Sequence, residues 1–205
     1  MRIFLRAFLF AATALLIGCS PPPVPDVTYF RLPPAAALPH ADKPLSLLPI
    51  EIDTFSASGV YSETALIYAT APNVGALRTY HYQLWSDPPT HALQTRLVNA
   101  LRASGIAALV TDRLPASTQA LRVHGTIRRF ERVKDGDTIH VEVSLEMRVE
   151  QDQGEPIIEQ EYAAQVVTTD ASISATVTAF GAALDQVFAK FYGDLAGLTG
   201  DSHAH

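Results

Sequence analysis

This 205-residue chain has one cysteine, Cys19. No internal disulfide and no cysteine-based zinc site can form. Basic residues are also scarce: 15 Lys and Arg stand against 21 Asp and Glu, a net charge of −6. A nucleic-acid binder needs a basic footprint that this balance does not supply. There is no G-x-S-x-G elbow, no H-E-x-x-H, no Walker A loop and no G-x-G-x-x-G turn. No nucleophile is placed with a base, which argues against a hydrolase. Long apolar runs are missing too. The most apolar stretch, residues 7–17, falls short of the roughly 18–20 residues that span a bilayer. What remains fits one domain with a tail, large enough for a core without staples.

That apolar stretch is informative in itself. Arg2 and Arg6 precede it, and a basic start followed by a short apolar run is a secretory signal, read here as residues 1–18. It accounts for nearly all of the positive mean hydropathy, +0.13. Without Arg2 and Arg6 the basic count falls from 15 to 13 against 21 acidic, a net charge of −8. Leu16, Ile17, Gly18 and Cys19 resemble a bacterial lipobox. In such signals cleavage follows the small residue, here Gly18, and the thiol, here Cys19, takes a diacylglyceryl group. The alternative is an ordinary signal with a chance cysteine. The sole cysteine sits where the apolar run ends, which favours the lipobox. Several acyl chains give stable anchoring at about 0.8 kcal/mol per buried CH₂. No other cofactor is implied. Ser20 follows, where Asp would signal inner-membrane retention, so serine points by analogy to the outer membrane of a two-membrane bacterium.

Nine of the fourteen prolines lie at positions 21, 22, 23, 25, 33, 34, 39, 44 and 49. Such a stretch cannot be helical and tends to polyproline II. Residues 19–44 are read as a lipidated, Pro-rich tether and 45–199 as the domain, with 200–205 a frayed tail. Residues 29–32 interrupt the tether with strand formers. If they dock on the domain as an edge strand, the free tether shortens to about eight residues, about 25 Å at 3.1 Å each.

Along the domain, residues 45–52 read as a buried strand and 53–60 as loop. Residues 66–69 and 77–84 are strand candidates on either side of Pro72-Asn73. Leu93, Leu97 and Leu101 recur every four residues between Asp87-Pro88-Pro89 and Gly105, predicting a helix over about 88–104 with Asp87 as a possible N-cap. Residues 106–110 read as a short strand. A three-stranded meander follows: 121–133, a turn at Asp135-Gly136, then strict alternation from Ile139 to Val149 with polar residues between, a turn at Gln153-Gly154, and a strand placing Ile158, Tyr162, Ala164 and Val166 on one face. Ile173, Val177, Phe180, Leu184, Val187, Phe191, Leu195 and Leu198 then form the stripe of an amphipathic helix over about 172–198, capped by Asp170 or Ser172 and packed on the meander. The sum is an α/β (α+β) two-layer sandwich: a mixed sheet ending in a three-stranded antiparallel meander, with both helices on one face.

Candidate chemistry is thin. His81, His91, His124, His140, His203 and His205 lack a nearby carboxylate set of the kind metals need. Glu142 and Glu146 share one strand face, with Arg128 and Arg132 on the neighbouring strand. Cross-strand ion pairing accounts for them better than acid–base catalysis. Residues 61–89 concentrate Tyr61, Tyr68, Tyr80, Tyr82 and Trp85. Aromatics this dense in short strands are either core or an interface surface.

In order, Tyr29 and Leu32, Ile52-Asp53-Thr54-Phe55, Tyr61, Leu66-Ile67-Tyr68, and Tyr80 leading to Trp85-Ser86-Asp87-Pro88-Pro89 resemble the ABC-type transport auxiliary lipoproteins, the PqiC-like lipoproteins of bacteria. Ser104-Gly105-Ile106 and Arg129-Phe130-Glu131 fit the same pattern. The family tends to carry an aromatic soon after the glycine, and Ala107 and Ala108 stand there instead. The resemblance implies no enzyme. It implies a lipid-anchored periplasmic accessory at the outer membrane, serving an ABC system whose MCE-domain proteins form tunnels for lipids or other hydrophobic molecules. From this we expect docking on the outer end of the MCE assembly, as a homo-oligomeric ring of copies matching its symmetry. Tyr61, Tyr68, Tyr80, Tyr82, Trp85 and Pro88 are the candidate contacts. Two other readings stay open: a general outer-membrane scaffold, and a lipid-binding module, which would need an apolar cavity of several hundred Å³.

Overall fold

The computed structural model describes residues 24–151 and 154–201. In chain order the strands are β1 (Thr28–Phe30), β2 (Ile50–Ile52), β3 (Ser56–Ala57), β4 (Ala65–Thr70), β5 (Asn73–Trp85), β6 (Val110–Thr111), β7 (Leu121–Asp135), β8 (Thr138–Gln151) and β9 (Pro156–Val167). Helix α1 (Pro89–Ser104) follows β5, and α2 (Ile173–Asp201) follows β9. A 3₁₀ turn covers Gly59–Ser62.

Strand β7 organises the sheet. One edge pairs antiparallel with β8, which pairs antiparallel with β9, giving the expected meander. Its other edge is shared end to end by three short parallel partners: β2 at Leu121 to Val123, β3 at Thr126 and Ile127, and β4 at Arg132 to Lys134. From β2 the sheet continues to β6, and from β4 through β5 to β1. Gly136 takes φ 57° in the β7–β8 turn, a left-handed conformation that a glycine adopts without strain. Gln153 lies outside the described residues, although the Gly154 N–H donates to the Gln151 carbonyl at 3.0 Å.

Alternation holds on β8: Ile139, Val141, Val143, Leu145, Met147 and Val149 are all buried. Its other face is not wet throughout. His140 and Ser144 are also buried, because β8 lies between two strands and His140 is flanked by Val133 and Val167. On β7 the register shifts between Ile127 and Arg129. This bulge inverts the pattern: residues 121, 123 and 127 point inward before it, and Phe130 and Arg132 after it.

Both helices cover one face and share one core. Leu93, Leu97 and Leu101 of α1 are fully buried against it, as are Leu184, Val187, Phe191 and Leu195 of α2. Gly105, at φ 71°, ends α1 in the left-handed conformation. Pro88, not Asp87, holds the N-cap position, and it makes no side-chain cap bond. For α2 the cap is Ser172, whose Oγ accepts the Ala175 N–H at 3.0 Å. Asp170 in turn accepts the Ser172 N–H at 2.7 Å. Helix α2 packs on β8 and β9 as expected, except that Leu198 is 38% exposed.

Three expectations change in extent. Of residues 45–52 only Ile50–Ile52 form strand, with an isolated bridge from Ser46 to Ala107. The strand expected at 106–110 is Val110–Thr111, and the loop expected at 53–60 contains β3. The folded unit also begins before Leu45. Strand β1 pairs in parallel with Gln83 to Trp85 of β5. Pro33 then lies on Gly181, where a Cβ would fall 3.0 Å from its ring. The Ala36 N–H donates to Asp185, and the Ala41 N–H to the Ser104 carbonyl at 2.8 Å. Residues 28–44, expected as tether, are a strap across the helices.

Candidate functional site

The aromatic segment divides into three environments. Trp85 ends β5 facing the helices and is 4% exposed. Its ring centroid lies 5.5 Å from those of Phe130 and Phe180, which are 4.4 Å apart. Trp85 is therefore a core residue, and this corrects its place among the contact candidates. Its position at a strand end, next to α1, points the indole into the gap between sheet and helix.

The rings of Tyr68 on β4 and Tyr80 on β5 meet at a tilt of 43°, centroids 4.6 Å apart, and both remain half-buried. The Tyr80 hydroxyl accepts a hydrogen bond from Arg132 Nη1 at 3.1 Å. Burial pushes the Tyr80 phenol up from its ordinary range, and the Arg132 cation pulls it the other way. Tyr82 lies further along β5 beside exposed His81, centroids 6.4 Å apart, and Pro88 is exposed at the start of α1. Tyr61, on the 3₁₀ turn, donates its hydroxyl to buried Glu131. The structure thus groups Tyr68 with Tyr80, with Tyr82 further along β5, and holds Tyr61 in a separate contact. Gly18 and Cys19 lie outside the described residues.

The outer face of the meander is an ion-pair lattice. Arg128 meets Glu146 at 2.6 Å, and Arg148 meets Glu150 at 3.0 Å. Glu142 pairs at 2.5 Å with Arg129 rather than Arg132. The bulge is the reason: it exposes both Arg128 and Arg129 and turns Arg132 inward. There Arg132 bonds Thr176 and the Ala171 carbonyl at the start of α2. His124 is held between Asp53, at 2.8 Å from Nδ1, and Glu150, at 3.1 Å from Nε2. Among the described residues no cluster of three or more His, Cys, Asp or Glu has the arrangement to hold a metal ion.

A cavity of about 550 Å³ lies between the strap and α1. Phe30, Leu32, Trp85, Ala92 and Ala100 form much of its wall, and Arg96 also lines it. Arg96 is 6% exposed. Its Nη2 donates to Asp185 at 2.6 Å and to the Gly181 carbonyl at 3.2 Å, while Nε and Nη1 make no hydrogen bond. Leaving a buried donor unpaired costs about 1–3 kcal/mol, more when it is charged. Sequence reasoning passed over this residue. A signal was present: Arg96 falls between Leu93 and Leu97, on turns whose neighbours face the core.

Similar folds occur in three solved structures. Protein XCC0632 from Xanthomonas campestris is 19% identical with a TM-score of 0.72, over 86% of this chain and 99% of that one. An uncharacterized protein is 16% identical with a TM-score of 0.63, over 85% and 99%. The hypothetical protein CT253 from Chlamydia trachomatis is 10% identical with a TM-score of 0.52, over 75% and 98%. No curated protein matches the chain. A family model described as "ABC-type transport auxiliary lipoprotein component" matches residues 30–190.

Proposed function

Because the chain belongs to the family of ABC-type transport auxiliary lipoprotein components, we propose that it is a non-catalytic, lipid-anchored accessory docking on an MCE-domain assembly at the periplasmic face of the outer membrane. The observation that carries this reading is the extent of the match: residues 30–190 run from the last residue of β1 well into α2. The family likeness therefore covers nearly the whole folded unit rather than one motif within it. Membership of a lipoprotein family fits Cys19 as the acylated residue. Among the described residues no helix is long and apolar enough to cross a membrane.

Docking falls to the side chains that the fold leaves accessible. Tyr82, His81 and Pro88 are in that position, and the Tyr68–Tyr80 pair presents a half-buried aromatic surface on the same two-stranded unit. Tyrosine combines apolar area with a polar tip, the combination enriched at interfaces. The accessory needs no cofactor beyond its lipid. The transported molecules are lipids or other hydrophobic compounds, and a ring of copies would match a tunnel's symmetry.

The test is co-purification of the full-length protein, extracted in detergent, with the MCE-domain protein of the same cell. We expect capture that falls at least about tenfold in Tyr82→Ala/Pro88→Ala, equivalent to about 1.4 kcal/mol. Capture unchanged by that pair removes this surface from the interface, and no capture at all removes the MCE partner.

A further inference from the structure

The tip of the β4–β5 hairpin carries exposed apolar residues that the tyrosine surface at its base does not use. We propose that this tip is a second membrane contact, resting on the zwitterionic lipid surface that holds the acyl chains of Cys19, a proposal that builds on the lipid-anchored reading above.

The tip comes from uneven pairing. Thr70 of β4 faces Asn73 of β5, and Tyr68 faces Arg78. Between those pairs β4 has one residue, Ala69, and β5 has four, residues 74–77. The surplus leaves the ladder, and the start of β5 bulges outward. The chain from Ala71 to Leu77 carries no charge, and Asn73 is its one polar side chain. Pro72, Val74 and Ala76 are exposed, and a Cβ on Gly75 would meet no atom within 4 Å. Hairpin turns are ordinarily built from polar residues, glycine and proline, and an exposed apolar cluster marks a contact with protein or membrane.

The path of the N-terminal chain selects the membrane. Strand β1 pairs in parallel with β5, Thr28 beside Gln83. Traced backward from Thr28, the chain therefore leaves β1 in the direction of the hairpin tip. Cys19 stands nine residues before Thr28, and Val74 stands nine before Gln83. Nine extended residues span about 30 Å, so anchor and tip can meet one plane. Once the anchor is in the bilayer, contact by the tip is an intramolecular event, for which a few apolar side chains suffice.

Charge fixes the kind of surface. The Lys134 carbonyl accepts the Ala71 N–H at 2.9 Å, which sets the β7–β8 turn beside the tip. The end of β9 lies at the same level, since Thr168 donates to the Ile139 carbonyl. Arg78 and Lys134 thus stand against Asp135, Asp137 and Asp170 at this end of the sheet. A site that recognises anionic lipid needs a cluster of cations, which this is not. The contact depends on apolar area, and anionic lipid does not strengthen it.

The experiment uses the full-length acylated protein in phosphatidylcholine vesicles, with and without phosphatidylglycerol. With Cys19 acylated, Ala76→Cys supplies a single free thiol for an environment-sensitive fluorophore. Asp112→Cys is the control: it is exposed and follows β6, beyond the opposite end of β7. Lipid carrying a doxyl group on its acyl chain quenches a probe that touches the bilayer. We expect emission to be lost at position 76 and unchanged at 112, equally with and without phosphatidylglycerol. Val74→Asp should return emission at 76 to the level at 112 while the protein still floats with the vesicles. Vesicle-bound protein unquenched at 76 overturns the proposal and leaves the tip to a protein partner. Equal quenching at 76 and 112, quenching that needs phosphatidylglycerol, or quenching that Val74→Asp does not lower overturns it as well. Flotation tests the anchor separately: protein that does not float, or floats equally as Cys19→Ala, removes the anchor and this proposal with it.

Discussion

The ring of Phe55 occupies the space that a side chain at Gly125 would need: a Cβ there would lie 2.3 Å from the Phe55 Cε1. Phe55 is 2% exposed and closes the core between β2 and β3. Gly125→Ala forces the ring out of this position, an overpacking cost of about 1–3 kcal/mol. Gly75→Ala, with no atom within 4 Å of the new Cβ, is the control. Denaturant unfolding of both variants checks this, with a loss expected only for the first.

Trp85→Ala is expected to cost stability rather than partner binding alone. It empties the space against Phe130 and Phe180, and removing a buried tryptophan costs about 3–5 kcal/mol. Tyr82→Ala, on a half-buried side chain, is expected to leave the melting temperature within a few degrees. Thermal melts of the two variants separate these roles.

Glu131 gives a pH dependence. Burial pushes its carboxyl above the ordinary glutamate range. The Tyr61 hydroxyl opposes that shift, Glu142 adds to it, and Arg129 opposes it. The folded state thus holds this proton more tightly than the unfolded chain. The group's contribution is fully present below the ordinary glutamate value and is lost as pH rises through the raised one. Glu131→Gln cannot titrate. Its melting temperature relative to the unaltered protein should therefore rise between about pH 3.5 and 7. A flat difference across that range contradicts the assignment.

Ser172→Ala removes the acceptor for the Ala175 N–H at the start of α2. A loss of about 1 kcal/mol is expected. Ser172→Asp should restore most of it, because a carboxylate caps a helix start equally well. Chemical denaturation of the two variants measures both effects.

Much of the fold was legible because its longest elements repeat with the period of their own geometry. The alternation from Ile139 to Val149 marked β8, and the leucines at 93, 97 and 101 marked α1. The short parallel strands β2, β3 and β6 were legible in part or not at all. Two or three residues give no periodicity: β2 and β3 exist because β7 offers an edge to pair with, and β6 because β2 does. At the candidate site, the aromatics were visible as a cluster, but their separation into a tilted tyrosine pair, a hydroxyl donor to Glu131 and a buried indole was not. Arg96 went unnoticed because an arginine in a helix ordinarily reads as a solvated side chain.

Local hydrophobic spacing was enough to place the long strands and helices in order, and the family pattern from Tyr29 to Glu131 with them. Contacts between distant residues set the rest. One extra residue in β7 turned Arg132 toward α2 and left Arg129 to meet Glu142. Chain expected as tether became a strap lying on α2 at Gly181 and Asp185. Both have one cause. Periodicity records which side of an element is apolar. The partner a side chain meets depends on register and packing between residues distant in the chain, and one inserted residue exchanges the two faces of a strand.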